Sequence, residues 1–264
     1  MSKRQYGVFM AVIFALCSTR PLYAAEGTDG AWKVSVGPYA WFAGVSGTAA
    51  VKGHESNVVT SFSDILKNLD IAGMIQVEAS KDDAGFFVQS NYIKLSSDAT
   101  YTIPSNGVMV NADAKAEVLF MEFGGFYRVV EHAGGDAHRP GSIDFIGGIR
   151  YWDMSTELDF NVPAVGESFD EKTDTRFIDP FLGLRLRTYL TDKVLFNGRA
   201  DIGGLGTASS SNYTYNIVAL FGYDITKNAA LFGGYRSLYV DYGDSKNGYK
   251  TTMHGPLVGV QLIF

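Results

Sequence analysis

Arg176-Phe177-Ile178-Asp179-Pro180-Phe181-Leu182-Gly183-Leu184-Arg185-Leu186-Arg187-Thr188-Tyr189-Leu190 reads cleanly in steps of two. Ile178, Pro180, Leu182, Leu184, Leu186 and Leu190 fall on one face, and Asp179, Gly183, Arg185, Arg187 and Tyr189 on the other. Successive side chains of a strand point to opposite sides, so this strand has one apolar side and one side that carries three charges. Two architectures produce such a strand. A soluble sandwich turns the apolar side inward, and a closed barrel in lipid turns it outward. One strand alone does not separate them.

The alternation recurs on either side. In Ala31 to Phe42, Val34, Val36, Pro38, Ala40 and Phe42 oppose Lys33, Ser35, Gly37, Tyr39 and Trp41. In Val194 to Ile202, Val194, Phe196, Gly198, Ala200 and Ile202 oppose Asn197, Arg199 and Asp201. Further strands at roughly 71–81, 86–97, 112–130, 142–154, 212–224, 229–242 and 249–264 complete a set of ten. The parity slips near Glu117, which predicts a bulge there or a strand that starts above the membrane. A content of 30 Gly, 15 Tyr and 18 Phe with only seven Pro suits many short strands and tight turns. After the N-terminal segment no run approaches 18 uninterrupted apolar residues, which rules out a membrane-crossing helix. A closed barrel is then the remaining way to satisfy every backbone group in lipid.

Both ends of the chain bear on the choice. Lys3 and Arg4 followed by the apolar run Val8 to Leu16 form a secretory signal, too short to span a bilayer, with the cut expected after Ala24. A lipoprotein signal on Cys17 is the competing reading, and Leu16 fits it poorly. The expected organisation is therefore a signal peptide at 1–24 and a barrel at 25–264. The remaining 240 residues carry 19 basic and 28 acidic side chains and no cysteine, a net charge of −9. That leaves no disulfide or thiolate chemistry and argues against a phosphate-backbone partner, so no nucleic acid is expected. The closing run Val258-Gly259-Val260-Gln261-Leu262-Ile263-Phe264 ends on an aromatic residue and resembles the assembly signal of Gram-negative outer-membrane β-barrels. That resemblance implies recognition of the C-terminal strand, with Phe264, by the barrel-assembly machinery.

Connection lengths agree with this topology, since bacterial barrels have short periplasmic turns and longer external loops. The gaps after even strands, 82–85, 131–141, 191–193 and 224–228, are mostly short, whereas 48–70, 97–111 and 155–175 are long. An up-and-down antiparallel barrel of ten strands with both termini in the periplasm follows. Eight or twelve strands stay open, because Tyr101-Thr102-Ile103 and Gly107 to Val110 form either an extra hairpin or strand extensions. Within the first loop, Ser61 to Leu69 has apolar residues at helical spacing, with Ser61 and Asp64 placed as a capping box. A short amphipathic helix is expected there, capping or entering the barrel mouth.

Several segments, taken in order, resemble a largely uncharacterised group of exported outer-membrane β-barrel proteins of proteobacteria. They are Pro38-Tyr39-Ala40-Trp41, Ser61 to Leu66, Gly125-Phe126-Tyr127-Arg128, Gly147 to Trp152, Asp179 to Arg185, Asp201-Ile202-Gly203-Gly204, Gly234-Tyr235-Arg236 and Gly255 to Gly259. Phe177-Ile178 stands where that group tends to have Trp before Asp-Pro. The resemblance implies a Gram-negative outer-membrane location with membrane lipid as surroundings, and it brings no activity with it.

Function must then lie inside the barrel or on its loops. The polar phases place Lys33, Glu78, Glu122, Asp144, Arg150, Asp179, Arg185, Arg187, Arg199, Asp201 and Arg236 in the lumen. Six are basic and five acidic, so they either pair into a network that fills and stiffens a structural barrel or line a narrow, weakly selective passage for small solutes. A surface-interaction role is a further alternative. For an outer-membrane hydrolase, His254 with Asp241 or Asp244 and Ser237 or Ser245 would have to meet, while His54, His132 and His138 lie in loops. No catalytic residue, metal ligand set, phosphate-binding loop or cofactor motif stands out. Tyr213, Tyr215, Phe221 and Tyr223, with Tyr235 and Tyr239 on the next strand, read as an interfacial girdle rather than as sugar-stacking platforms.

Overall fold

The computed structural model describes residues 30–51, 54–102, 109–136, 139–162, 167–207, 209–244 and 248–264, so the expected signal peptide lies outside the described residues. Ten antiparallel strands close into a barrel: β1 (Lys33–Trp41), β4 (Leu69–Lys81), β5 (Ala84–Thr102), β6 (Met109–Asp136), β7 (Arg139–Val162), β8 (Glu167–Tyr189), β9 (Val194–Gly203), β10 (Tyr213–Thr226), β11 (Ala229–Gly243) and β12 (Gly248–Ile263). The seam joins β1 to β12, from Trp41↔Leu257 down to Ser35↔Ile263. Phe264 makes its last rung, since its N–H donates to the Val34 carbonyl at 2.8 Å and its own carbonyl accepts from Val34 N at 3.2 Å. The end that carries both termini is called the terminal end below, and the opposite one the distal end.

The dyad pattern settles into one consistent arrangement. Ile178, Leu182, Leu184, Ile202, Ile217, Phe221 and Val258 are exposed on the outside, while Phe181, Arg150, Glu122 and Asp179 are buried inside. A soluble sandwich cannot leave its apolar face to solvent and bury its charges. Aromatic side chains border the apolar band. Tyr213, Tyr215 and Tyr239 pack together toward the distal end, with the Tyr215 and Tyr239 rings stacked at 5.1 Å. Tyr223 stands eight residues beyond Tyr215 on the same face, roughly 26 Å along the strand and about 20 Å along the axis of a tilted barrel. That spacing fits a girdle at each interface.

Three expectations need correction, each for a physical reason. The first long connection is mostly strand: β2 (Gly44–Val51) and β3 (His54–Thr60) form a hairpin, and β2 continues β1 along β12 after a break at Phe42 and Ala43. The stretches 97–111 and 155–175 are likewise largely strand, because β5 to β8 pair well beyond the apolar band, as far as Thr102↔Met109 and Val162↔Glu167. A transmembrane strand needs only about 9–11 residues, and these four run to 19, 28, 24 and 23. Beyond the band the alternation persists on β7, where Met154, Leu158, Phe160 and Val162 oppose Asp153, Glu157, Asp159 and Asn161, and weakens to Ala against charge on β6, whereas Asp170 to Thr175 on β8 is polar in both phases although backbone pairing continues. No bulge lies at Glu117, which pairs regularly with Lys94 and Ser155; the register shifts occur instead between Arg128 and Val130 and between Glu131 and Gly135. Only the bulge needs correction, since the other reading of that slip agrees with the structure: β6 starts at Met109, above the band, and pairs regularly through Glu117 as it enters.

The expected helix is present as α1 (Phe62–Lys67). Ser61 caps it, its Oγ accepting from Asp64 N at 3.2 Å and donating to Asp64 Oδ2 at 2.6 Å, and this bond holds the Asp64 carboxyl below its ordinary range. The helix buries none of its residues and rests on Phe42 through an edge-on contact between the Phe42 and Phe62 rings. It therefore borders the mouth and does not plug it.

Candidate functional site

Inward-facing side chains stack in layers along the barrel. Nearest the terminal end, Arg185 reaches Asp144 at 3.0 Å and Glu78 at 2.5 Å, Arg187 reaches Glu78 at 3.1 Å and Asp144 at 2.9 Å, and Arg128 lies 3.6 Å from Asp144. Above them Phe87, Phe126, Ile146 and Phe181 form a buried apolar layer. Gly124 permits it, because a Cβ there would collide with the Phe87 ring. The Arg185 guanidinium lies 4.3 Å from the centre of the Phe126 ring.

The next layer is the densest. Glu122 accepts from Arg150 Nε at 2.9 Å and from Arg236 Nη2 at 2.8 Å, and Arg199 Nη1 lies 2.8 Å from its second oxygen. Asp201 accepts from Arg150 at 2.9 Å, Arg199 at 2.7 Å and Asn216 at 2.8 Å. Arg236 also donates to Asn216 at 2.8 Å and to Gln89 at 3.3 Å, and Gln89 continues the chain through Tyr39 to Asn91. β6 and β11 stand five places apart in the ring of ten, so the Arg236–Glu122 contact joins opposite walls directly. Glu122 and Arg150 have no exposed surface and Arg236 has 1%. The guanidinium of Arg236 lies between Trp41 and Phe120, 5.1 and 5.3 Å from the ring centres, and a stack of Phe120, Trp152, Phe177 and Tyr242 covers the distal side.

Charges of both signs buried away from bulk solvent beside aromatic rings attract strongly, and each depends on its partners to offset the cost of burial. Two of the expected lumen charges stand apart from the network. Lys33 lies exposed at the terminal mouth, beside a vestibule of ≈ 480 Å³ that Glu78, Arg185 and Arg187 also line. Asp179 faces Arg150 in register, yet it binds a loop instead. Its Oδ1 accepts from Ser210 Oγ at 2.9 Å, Ser211 N at 2.7 Å and Ser211 Oγ at 2.8 Å. This loop completes the wall where β9 ends, Ile178 N donating to the Ser209 carbonyl at 3.0 Å. Gly204 takes a left-handed φ of 89° to turn into it. Asp179→Ala is expected to cost about 1–3 kcal/mol by leaving these donors unpaired and to make 204–212 the first site of limited proteolysis, both readable from one unfolding and digestion series.

The neutral members Tyr39, Gln89, Asn91 and Asn216 escape a search restricted to charges, and Arg128 stands in a segment quoted only for its resemblance. Their position on the inward phase of their strands was the available signal. The hydrolase constellation does not assemble. His254 points outward and its Nδ1 lies 2.8 Å from Tyr235 Oη. Ser237 faces His254 across the ladder, but Asp241 pairs with Lys250, four residues further along and so about 13 Å away. Ser245 lies outside the described residues, as does His138, and Asp244 stands beyond Asp241 near the strand end.

A closed antiparallel barrel, apolar outside and filled by bonded charges inside, defines the class: the chain has the fold of the Gram-negative outer-membrane β-barrels. No family model and no curated protein matches the chain. Among solved structures it is similar to the outer membrane protease OmpT from Escherichia coli, with 11% identity and a TM-score of 0.55 over 91% of this chain and 99% of that one. It also aligns with the translocator domain of the autotransporter NalP from Neisseria meningitidis, at 16% identity and a TM-score of 0.45 over 98% and 94%. A third match is the COG4313 outer membrane channel from Pseudomonas putida F1, at 9% identity and a TM-score of 0.39 over 93% and 100%. The first of these supports the shared fold and nothing about chemistry.

Proposed function

We propose that the chain is an integral protein of the Gram-negative outer membrane, exported by residues 1–24 and assembled through the strand that ends in Phe264. Its barrel is a sealed structural support, and the long β5–β8 hairpins are a surface-interaction platform held outside the cell. The observation that carries this reading is the Arg236–Glu122 bridge between opposite walls, fully withdrawn from solvent. A passage for small solutes needs a continuous wet path at that level. The ≈ 480 Å³ vestibule reaches only as far as the Arg185 layer, and the cavity beyond it, between Arg185 and Arg236, holds ≈ 60 Å³. No constellation supports hydrolysis in the described residues.

Orientation is tested with single cysteines, since Cys17 is the only native one and lies in the segment expected to be removed. A membrane-impermeant maleimide added to intact cells should label Ser168→Cys on β8 and spare Asn228→Cys in the turn between β10 and β11 until the outer membrane is opened. Labelling of Asn228→Cys alone would invert the topology, and equal labelling of both would mean that the chain does not span the membrane.

A further inference from the structure

A cavity of ≈ 60 Å³ lies between Arg185 and Arg236, and its described wall carries three cations and no carboxylate. Arg185, Arg199 and Arg236 line it from β8, β9 and β11. Gln76 and Asn197 add neutral amides from β4 and β9, which stand five places apart in the ring of ten and so on opposite walls. Much of the remaining wall is apolar, with Val218, Leu220 and Phe232.

The charges around this cavity do not balance. On its distal side Arg150, Arg199 and Arg236 share two carboxylates, those of Glu122 and Asp201. On its terminal side Arg185 and Arg187 are matched by Glu78 and Asp144, and Arg128 is shared between Asp144 and Asp83. The remaining inward carboxylate, Asp179, accepts from Ser210 and Ser211 and does not line the cavity. One guanidinium of the distal-side layer therefore has no carboxylate of its own. Arg199 shows the surplus directly. Its Nε meets Asp201 at 2.7 Å and its Nη1 meets Glu122 at 2.8 Å, while Nη2 is buried with no hydrogen-bond acceptor. A buried donor left without an acceptor bears the full cost of its lost hydration.

We propose that this cavity binds one small monovalent anion of halide size, reached from the terminal end. The ion supplies the missing counter-charge and an acceptor beside Arg199. One water occupies about 10–15 Å³ on the same measure, so a halide with a few waters fits. The cost of burying an ion climbs with its charge and with the strength of its hydration, which favours chloride and bromide over fluoride, sulfate or phosphate. The way in is short, because Gln76, Arg185 and Asn197 line both this cavity and the ≈ 480 Å³ vestibule. Such a ligand goes beyond a structural role for the barrel and occupies the closed end of its lumen.

The purified full chain is unfolded in detergent at fixed ionic strength, with gluconate, too large for the cavity, replaced stepwise by fluoride, chloride, bromide or sulfate. Above the dissociation constant, each tenfold rise in chloride or bromide should raise the folding equilibrium constant by about tenfold. Fluoride and sulfate should not do so. General salt effects run the other way, with sulfate the strongest stabiliser, so the order of the anions separates a site from the solvent. Asn197→Asp places a carboxylate of nearly the same shape in the wall, and Gln76→Glu does the same from the opposite side. Each should abolish the chloride dependence by supplying the counter-charge from the chain itself. Stabilisation in the order of general salt effects would overturn the proposal. So would indifference of the wild type to chloride, or a chloride dependence that survives in both folded variants. None of these results touches the sealing by Arg236 and Glu122, which is read from conductance and not from anion dependence.

Discussion

Glu122→Ala should destabilise the barrel by about 3–5 kcal/mol, as expected when one partner of a buried ion network is removed. The carboxylate holds Arg150, Arg199 and Arg236 at once. Without it those cations share Asp201 in a layer sealed by Phe181 below and by Trp41 and Phe120 above. Glu122→Gln keeps the shape and one acceptor, so it should cost less than the alanine variant and more than a surface change. Replacing Glu122 and Arg236 together by Met should recover much of the loss, since a buried pair exchanged for apolar volume is often neutral. Unfolding in denaturant, followed by tryptophan fluorescence, reads all three. A cost below about 1 kcal/mol for Glu122→Ala would mean that water already solvates those arginines, as in an open lumen.

Leu184→Arg is expected to cost about 2–4 kcal/mol if the outer face lies in the hydrocarbon near mid-depth. Leu184 is 53% exposed, with Phe145 and Ala200 as its cross-strand neighbours on the outside. In water an arginine there would be harmless, so the size of the effect measures the surroundings rather than the packing. Thr173→Arg, on the same strand beyond the apolar band, is the matched control and should stay within about 0.5 kcal/mol. Folding into lipid vesicles against denaturant gives both values, and equal small effects would remove that face from the membrane.

The contrast between these two positions also explains what could be read from the sequence. Where one side of a strand meets lipid and the other a packed interior, alternation is enforced. Ile178 to Leu190 therefore showed both the strand and its inward charges, and the ring of ten with them. Beyond the band nothing enforces it. Asp98, Asp113, Asp159 and Asp170 pair as regularly as the strands below, but Asp170 to Thr175 is polar in both phases and hides its pairing, and 97–111 and 155–175 read as loops although Leu158, Phe160 and Val162 keep the alternation on β7. The β2–β3 hairpin was hidden for the same reason, with Gly, Ala, Ser and Thr through much of 44–60. At the site, phase identified which charges face inward and could not assign their partners. Arg236 meets Glu122 across 114 positions of sequence and Arg185 meets Glu78 across 107, contacts fixed by closure of the ring and by register. Asp179 shows the limit most clearly: its phase placed it among the lumen charges, and it binds Ser210 and Ser211 of a loop that stands where β9 ends early.

The most direct measurement is the conductance of the folded wild-type protein in a planar lipid bilayer. A lumen crossed at mid-height by Arg236–Glu122 and covered by Trp152 and Phe177 should give no discrete current steps at any moderate voltage, in preparations whose folding is verified by their denaturation transition. Reproducible unitary steps from that same folded protein would contradict the sealed barrel and show that the charge network lines a passage.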